Sequence, residues 1–221
     1  MRRPWWSLAL LLLTGLMLSA CMQTNYRALN AAAESGTTPF SRDVFYQLDD
    51  AFYLNPPECV LVLAAANSGI PTQLAQMIEQ ALALRLSQKI RRVIGPRERR
   101  DTERNLALDT LAAVDRRYFA ATENCTSYLE WHLTAADDSN VLIWSRKQIG
   151  LEVRLARSAD DKTLWQAAHT TSRSEGGLPL SLISLPIVAA KATIFSEDAD
   201  QFPSMIDDVV RRLALTLPDV R

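Results

Sequence analysis

The first twenty residues carry a continuous apolar run that follows two positive charges. Residues 5–13 are almost entirely apolar, Arg2 and Arg3 precede them, and residues 18–21 read Leu-Ser-Ala-Cys. A charged head, an apolar core and a small-residue cleavage site predict an export signal over residues 1–20. The run is shorter than the roughly 20 residues of a membrane-spanning helix, so a retained anchor helix is the weaker interpretation.

The next segment shows little apolar periodicity and predicts a tether. Residues 22–38 are mostly small and polar, which favours a flexible chain. Apolar residues between Val44 and Tyr53 then recur at helical spacing and stop at residues 55–57, Asn-Pro-Pro, which predicts a short helix. We therefore assign residues 21–57 to the N-terminus, the tether and a short helix that covers the domain.

An uninterrupted hydrophobic run predicts the first strand of a folded domain. Residues 59–66 are apolar throughout and end at Asn67. A strand buried on both faces has this pattern, which implies helices on either side of the sheet. Residues 71–89 repeat an apolar position every four residues, as an amphipathic helix does. Residues 90–94 predict a second strand, and a second helix from about Asp101 follows.

Alternating patterns in the second half of the chain predict further strands. Residues 127–134 and 149–155 alternate in polarity, and a turn at residues 160–162 leads to another strand over residues 164–169. Turns this short join antiparallel neighbours. With a last helix near the C-terminus, we predict one α/β domain over residues 58–221, with a mixed parallel and antiparallel sheet of about five strands and helices packed against it.

One apolar segment fits neither a surface loop nor a routine helix. Residues 178–190 are strongly apolar, but Pro179 and Pro186 interrupt them. The segment either folds over the sheet as core or forms an exposed patch that contacts another subunit, a partner or lipid. In the second case the contacting residues would be Leu178, Leu180, Leu182, Ile183, Leu185, Ile187 and Val188.

Composition adds limits on size and partners. The 221 residues include 24 basic and 25 acidic side chains, a net charge of −1, and loss of the two signal arginines makes the mature charge −3. Without a basic excess, nucleic acid is not an expected partner. The 201 residues left after cleavage suit one domain with a tether.

The cysteine at the cleavage site predicts a lipid anchor. Residues 18–21 resemble the lipobox of bacterial lipoproteins, in which the cysteine sulfur, here that of Cys21, receives diacylglycerol and its amine a further acyl chain. Several acyl chains anchor a protein stably without a transmembrane helix. The alternative is a secretory signal with a chance cysteine. By resemblance to the lipoprotein sorting rule, Met22 in place of aspartate favours the outer membrane, with the domain facing the periplasm.

The other two cysteines form an even pair. In the oxidising periplasm, Cys59 and Cys125 favour a disulfide. The alternative is two buried thiols that pack as small apolar groups.

The mature sequence carries no recognisable active site. His132 and His169 are the only histidines, and neither their spacing nor that of the cysteines suits a structural metal. Glu130 and His132 share one strand face as a conceivable acid-base pair, but no nucleophile is placed with them. Phosphate-binding, dinucleotide-binding and hydrolase motifs are missing too, so we predict no enzyme, no metal and no cofactor.

Two polar features have a plain interpretation and a functional one. The Asn-Ser-Gly sequence at residues 67–69 predicts an ordinary turn, although an anion could bind at the helix that follows. Arginines cluster around the second strand among acidic residues, which predicts a salt-bridged surface or, alternatively, a contact with anionic lipid or an acidic partner. These arginines are Arg91, Arg92, Arg97, Arg99, Arg100 and Arg104.

With this order of elements, residues 58–221 resemble a superfamily of periplasm-facing bacterial lipoproteins. The features that carry the resemblance are the opening strand at residues 59–63, residues 126–129 after two helices, the hairpin from residues 150–155 to a Leu-Trp pair at 164–165, and Gly176-Gly177 before an apolar stretch. The superfamily includes domains similar to the N-terminal domain of the Tol-system propeller protein and to the curli-secretion lipoprotein. The sequence looks most like small lipoproteins that serve as auxiliary parts of envelope transport systems.

The resemblance has two implications. It places the first and third strands of the domain side by side, with Cys59 and Cys125 where those strands start. Neighbouring strands are about 4.8 Å apart, close to the Cα separation that a disulfide needs. It also favours a membrane-anchored, non-enzymatic accessory or assembly component of a transport or secretion system. The expected partners are an envelope protein and further copies of this chain in a homo-oligomer. The alternative function is a periplasmic module that binds a small ligand or lipid.

Overall fold

The computed structural model describes residues 24–32, 43–66, 69–141, 144–176 and 201–221. A seven-stranded sheet with the order β1-β2-β7-β6-β5-β3-β4 organises them. The strands are β1 Asn25–Ala28, β2 Asp43–Leu48, β3 Cys59–Val62, β4 Arg92–Ile94, β5 Ser127–Val141, β6 Trp144–Arg157 and β7 Thr163–Gly176. The helices are α1 Asp50–Leu54, α2 Thr72–Leu86, α3 Pro96–Leu106, α4 Ala113–Thr122 and α5 Gln201–Leu215, and a 3₁₀ turn spans Leu29–Ala32.

The sheet is mixed, which confirms the predicted fold class. Strand β3 runs parallel to both β4 and β5, whereas β5, β6 and β7 are antiparallel neighbours. At the other side of the sheet, β2 is antiparallel to β7 and β1 is parallel to β2. The prediction of about five strands is wrong, because the sheet has seven.

The two additional strands come from residues that we predicted to be tether and helix. Asn25–Ala28 forms β1, where we expected a flexible chain, and Asp43–Leu48 forms β2 instead of the first half of a helix. Only the short helix α1 remains of that helix, and it begins where Asp49 accepts a 2.9 Å hydrogen bond from the Ala51 N–H. Pairing with β7, more than 100 residues away in sequence, outweighs the local periodicity.

A second correction concerns the helix predicted from about Asp101. Helix α3 begins earlier, at Pro96, whose fixed φ suits the first turn of a helix. It ends at Leu106, and the next residue, Ala107, adopts a left-handed conformation with φ of 52°. A separate helix, α4, follows from Ala113, so Val114 and Tyr118 belong to α4, where both are exposed.

The core lies on both faces of the sheet. All four residues of β3 are buried, as the sequence pattern predicted. Its Val60 and Val62 join the larger cluster, with Trp131, Trp165 and the apolar faces of α2 and α5. Its Leu61 belongs to a smaller cluster on the other face, together with Cys59, Leu63, Ile94, Phe119, Cys125, Tyr128 and Ala156. Each fully buried large aliphatic side chain contributes about 1.5–3 kcal/mol.

Candidate functional site at the anchor end of the sheet

The first described residue is fixed to the domain. Arg212 of α5 donates a hydrogen bond from Nη1 to Thr24 Oγ1. Strand β1 begins at the next residue, Asn25, and pairs in parallel with β2, Asn25 lying opposite Asp43. Strands β1 and β2 both begin at one end of the sheet. We refer to this end as the anchor end. Three Cα steps separate Cys21 from Thr24, so Cys21 lies at most about 11 Å from the folded domain.

Charged side chains at the anchor end are paired with one another. Asp208 of α5 accepts hydrogen bonds from Arg212 Nε at 2.8 Å and from Arg211 Nη2 at 2.6 Å. Partial burial would raise the pKa of Asp208, but the two arginines outweigh it and lower that pKa below the ordinary value. Arg27 Nε lies 3.7 Å from Asp43 Oδ2. The Arg27–Asp43 pair links β1 to β2, whereas the ion pairs of Asp208 lie within α5 and hold Arg212, which also donates to Thr24.

His169 of β7 lies beneath this polar layer. It is only 4 % exposed, and its Nδ1 atom lies 2.9 Å from the backbone carbonyl oxygen of Asp43, to which the Nδ1–H form donates. Burial lowers the pKa of His169, an effect that the contact with Asp43 and the nearby Asp208 only partly offset. His169 lies on a covered face of the sheet, in the same alternation as buried Trp165 and Ala167.

Three strands continue past the anchor end as an arm. Val44 of β2 pairs with His169, His169 pairs with Leu151, and Leu151 pairs with Leu133, so these residues mark one level of the sheet. Of the described strands, β1 and β2 reach one residue past this level, at Asn25 and Asp43, whereas β5, β6 and β7 continue well beyond it. Strand β6 extends past the level of Leu151 by the seven residues 144–150, a length of about 23 Å at 3.3 Å per residue. We call these extensions of β5, β6 and β7 the arm.

Several predicted site residues lie outside the described part of the chain. Cys21, residues 67–68 and the whole segment 178–190 belong to this group. The predicted interaction residues Leu178, Leu180, Leu182, Ile183, Leu185, Ile187 and Val188 are therefore still predictions. The last described residue before them, Gly176, pairs with Trp144 at the far end of the arm.

Cys59 and Cys125 are joined by the predicted disulfide. Their Cα atoms are 4.9 Å apart, and both residues are buried. Strand β3 starts at Cys59, and its parallel neighbour β5 starts at Ser127, two residues after Cys125, so the two strands are side by side as the resemblance implied. We call this opposite end of the sheet the disulfide end.

The arginine cluster near the disulfide end is mostly paired, as the plain interpretation predicted. Arg92 Nη2 lies 2.8 Å from Glu98 Oε1 and 2.9 Å from Glu123 Oε2, and Arg91 pairs with Glu58.

Arg99 of the same cluster is the exception, because it is only 3 % exposed. Its Nη2 donates to Glu79 Oε2 at 2.8 Å, and its Nη1 donates to the Val62 carbonyl at 2.6 Å. We missed this buried pair in the sequence. The only available signal was the position of Glu79 among the apolar residues of α2.

Glu130 and His132 have different surroundings. Glu130 Oε2 accepts a hydrogen bond from Arg154 Nε at 3.0 Å, whereas the side chain of His132 is exposed. Arg154 also donates to Tyr128 Oη at 3.1 Å, and Tyr128 Oη donates to Asp161. The carboxylate of Glu130 is thus engaged in a structural network on the strand face.

A cavity of about 400 Å³ lies close to the disulfide end. Its wall includes Pro57, Ala120 and Leu164 as apolar residues, with Arg117 and Arg157 as basic ones. Its volume is within the range of small-molecule sites.

Among the residues that the structure describes, no group of three or more histidine, cysteine, aspartate or glutamate side chains is placed to hold a metal ion. Of the helices in those same residues, none has the length and apolar character needed to cross a membrane.

Comparison with known proteins shows the fold. No protein-family model matches the sequence, and no curated protein does. Among solved structures, the PelC dodecamer from Paraburkholderia phytofirmans is similar at 13% identity and a TM-score of 0.50, over 80% of this chain and 98% of PelC. Lipoprotein GNA1162 from Neisseria meningitidis is 17% identical with a TM-score of 0.44, over 66% of this chain and 100% of its own. The chain therefore shares the fold of PelC.

Proposed function

We propose that this chain is a lipid-anchored protein of the bacterial envelope, facing the periplasm, and that it works by contact rather than by catalysis. The observation that carries the proposal is the fixed start of the domain. Thr24 is bonded to α5, and Asn25 already belongs to the sheet. Acyl chains on Cys21 would therefore hold the folded domain directly against a membrane, with at most about 11 Å of chain between them.

The described side chains support contact as the mode of action. Glu130 is bonded to Arg154, and the carboxylates of the anchor end are paired with arginines. These groups stabilise the fold and are not arranged around a nucleophile. An accessory or assembly component of a transport or secretion system, held at the outer membrane, needs only such surfaces and an anchor.

The anchor can be tested directly. The mature protein from bacterial envelopes should begin at Cys21, carry the mass of its acyl chains and float with membranes in a density gradient. A Cys21→Ser variant should lose the acyl mass and the flotation while keeping its folded-state spectrum. An unacylated N-terminus on the native protein would overturn the proposal.

Assembly with further copies is part of the proposal. PelC, which shares the fold, was crystallised as a dodecamer. Strand β1, at the edge of the sheet, is exposed at all four residues, and an edge strand can pair with another chain. Crosslinking in native membranes should trap oligomers or a complex with an envelope partner. Monomers alone, with no co-purifying partner, would contradict this part of the proposal.

A second candidate function, binding of a small ligand, is favoured by the cavity near the disulfide end. Its apolar wall and its two arginines suit a ligand with an apolar body and an anionic group. Decanoate is a suitable probe and should raise the melting temperature of the protein. An Ala120→Trp variant, which fills the cavity, should not respond. No shift with wild-type protein at millimolar decanoate would count against this function.

A further inference from the structure

An open groove with tyrosine rings in its wall lies beside the edge strand β1. It has a volume of about 700 Å³, and its tyrosines are Tyr26 of β1, Tyr46 of β2 and Tyr53 of α1. Tyr26 is 45 % exposed and Tyr53 is 64 % exposed, while Leu54, the residue after Tyr53, is 86 % exposed. We call the surface formed by Tyr26, Leu29, Tyr46, Leu48, Tyr53 and Leu54 the tyrosine surface.

The tyrosine surface is the outer margin of a sheet face whose centre is covered. Tyr26 lies opposite Val44 in the pairing of β1 with β2, and Tyr46 follows Val44 in the same alternation, so the three side chains share one face. Val44 is fully buried in the core cluster that includes the apolar face of α5. Tyr46 is half-buried, and Tyr26, one strand further out, is exposed. Burial therefore decreases towards the β1 side, where aromatic side chains meet solvent.

The proposed lipid anchor lies next to this surface. Tyr26 follows Cys21 by five residues, so their Cα atoms are at most about 18 Å apart. The chain is fixed to the domain between them, because Thr24 is bonded to Arg212 and Asn25 belongs to the sheet. A bilayer that holds acyl chains on Cys21 is therefore kept beside β1, at a high effective concentration relative to the tyrosine surface.

The residue types of this surface suit the headgroup region of a bilayer. Tyrosine is enriched at membrane–water interfaces, where its ring is apolar and its hydroxyl stays in polar surroundings. Among the described residues of the groove wall, the charged one is Arg27, whose Nε lies 3.7 Å from Asp43 Oδ2, and Asn30 and Gln47 are neutral. Attraction to anionic lipid is therefore a minor contribution, and the tyrosine rings and Leu54 provide the affinity.

We propose that the tyrosine surface is a second membrane contact, seated in the headgroup region of the bilayer that holds Cys21. The inference rests on the lipid anchoring proposed above and adds an orientation to it. Tyr26 lies at the start of β1 and Tyr53 follows the end of β2, so the contact runs along the strands. The β1 side of the sheet then faces the membrane, and the β4 side faces the periplasm.

Tryptophan fluorescence can test the contact. A Tyr53→Trp, Trp144→Phe double variant carries its introduced tryptophan on the tyrosine surface. The other tryptophans of the mature variant are Trp131 and Trp165, which are buried at 1 % and 2 % exposure. The acylated variant is placed in phosphatidylcholine vesicles with or without bromine near the glycerol end of the acyl chains. Bromine should remove roughly a third of the emission, the share of one tryptophan in three if all emit equally.

The lipid composition tests the source of the affinity. Vesicles that contain anionic lipid should give the same bromine-dependent loss as phosphatidylcholine alone, because Arg27 is paired with Asp43. Quenching that requires anionic lipid would contradict a contact made by aromatic and aliphatic side chains.

Helix α4 offers matched controls on the other face of the sheet, where its Phe119 joins the smaller core cluster. Tyr118 is 58 % exposed, and Tyr118→Trp with Trp144→Phe should show no bromine-dependent loss. Leu54→Asp, added to the Tyr53→Trp protein, should at least halve the quenching, because a carboxylate is costly to bring into the bilayer.

The control for this charge is Val114→Asp, at a 70 % exposed position of α4, which should leave the quenching unchanged. Equal quenching of tryptophans introduced at positions 53 and 118 would overturn the proposal. So would protein that floats with the vesicles but shows no bromine-dependent loss at position 53.

The anchor and the tyrosine surface can fail separately. Protein that does not float would overturn the anchoring by acyl chains. In that case the thiol of Cys21, the third cysteine beside the joined Cys59 and Cys125, is coupled to a lipid that carries a maleimide headgroup. The same quenching measurement on this tethered protein then tests the tyrosine surface alone. Quenching at position 53 supports the contact, and its absence contradicts it.

Discussion

The two ends of the sheet are stabilised in different ways. The disulfide end combines the Cys59–Cys125 bridge with a fully covered Tyr128, and next to it, at the carboxyl end of β3, lies a buried ion pair between Arg99 and Glu79. The anchor end has an exposed edge strand, β1, and salt bridges that are partly open to water. The difference indicates that the disulfide end contributes more to the stability of the fold than the anchor end, the end that the proposed acyl chains on Cys21 would bring to a membrane.

If this comparison is right, variants at the disulfide end should reduce stability more than variants at the anchor end. The largest loss is expected from the Cys59→Ala, Cys125→Ala double variant. The bridge spans 66 residues, and its removal should lower the free energy of unfolding by about 4 kcal/mol. Urea denaturation of the two proteins at neutral pH measures the difference. A loss below about 1 kcal/mol would show that the disulfide contributes little to the stability of this end of the sheet.

The buried ion pair should have the next largest effect. Glu79→Ala removes the hydrogen-bonded carboxylate from buried Arg99 and leaves only Glu103, 3.7 Å from Arg99 Nε, as a charge partner, which should cost roughly 3 kcal/mol. A Glu79→Leu, Arg99→Met double variant removes both charges and should recover most of that loss. Asp101→Ala, in an exposed pair with Arg104, is the matched control and should change stability by less than about 1 kcal/mol. Equal losses for Glu79→Ala and the control would contradict the argument.

At the anchor end, the main effect should be a dependence on pH. Burial lowers the pKa of His169 in the folded state, so the unfolded chain binds a proton more readily. The stability from neutral His169 is therefore present above the unfolded pKa of about 6.5 and is lost as pH falls towards the lower folded value. One proton limits the slope to about 1.4 kcal/mol per pH unit.

Melting temperatures of wild type and a His169→Gln variant between pH 7.5 and 5 check this dependence. Their difference should narrow as the pH falls, because only the wild type loses the contribution of a neutral imidazole. His132→Gln, at an exposed position of β5, serves as the control and should follow the wild type. If the melting temperatures of the wild type and of the His169→Gln variant change in parallel with pH, the pKa of His169 does not differ between the folded and unfolded states.

The smallest expected loss of stability is that of Arg212→Ala. It removes the hydrogen bonds from Arg212 to Thr24 and Asp208, which should cost about 1 kcal/mol. Its clearer effect should be faster proteolysis near residue 24, because the start of β1 loses its contact with α5. Arg211→Ala keeps the bond to Thr24 and should not accelerate cleavage. Equal cleavage rates in both variants would show that Arg212 does not hold the N-terminus.

Local sequence patterns predicted what depends on neighbouring residues or on residue type. The uninterrupted run at residues 59–66, the four-residue repeat of α2 and the alternation in β6 each report the surroundings of one element. The pairing of Cys59 with Cys125 followed from the number of cysteines and from the resemblance. For the candidate site, only the position of the anchor at Cys21 and the apolar residues around it could be predicted in this way.

The tertiary structure decided which distant segments meet. Strand β2 looked helical because Val44, Leu48 and Phe52 fit a helical period, but pairing with β7 makes it a strand, and Phe52 belongs to α1. The burial of Arg99 and the common direction of anchor and arm depend on strand order, which local periodicity does not encode. By itself, the sequence predicted an export signal, a candidate anchor and an α/β fold. Long-range pairing then determined that the chain enters the sheet at Asn25, at the end from which the arm extends, because hydrogen bonds between strands satisfy backbone groups far apart in the chain.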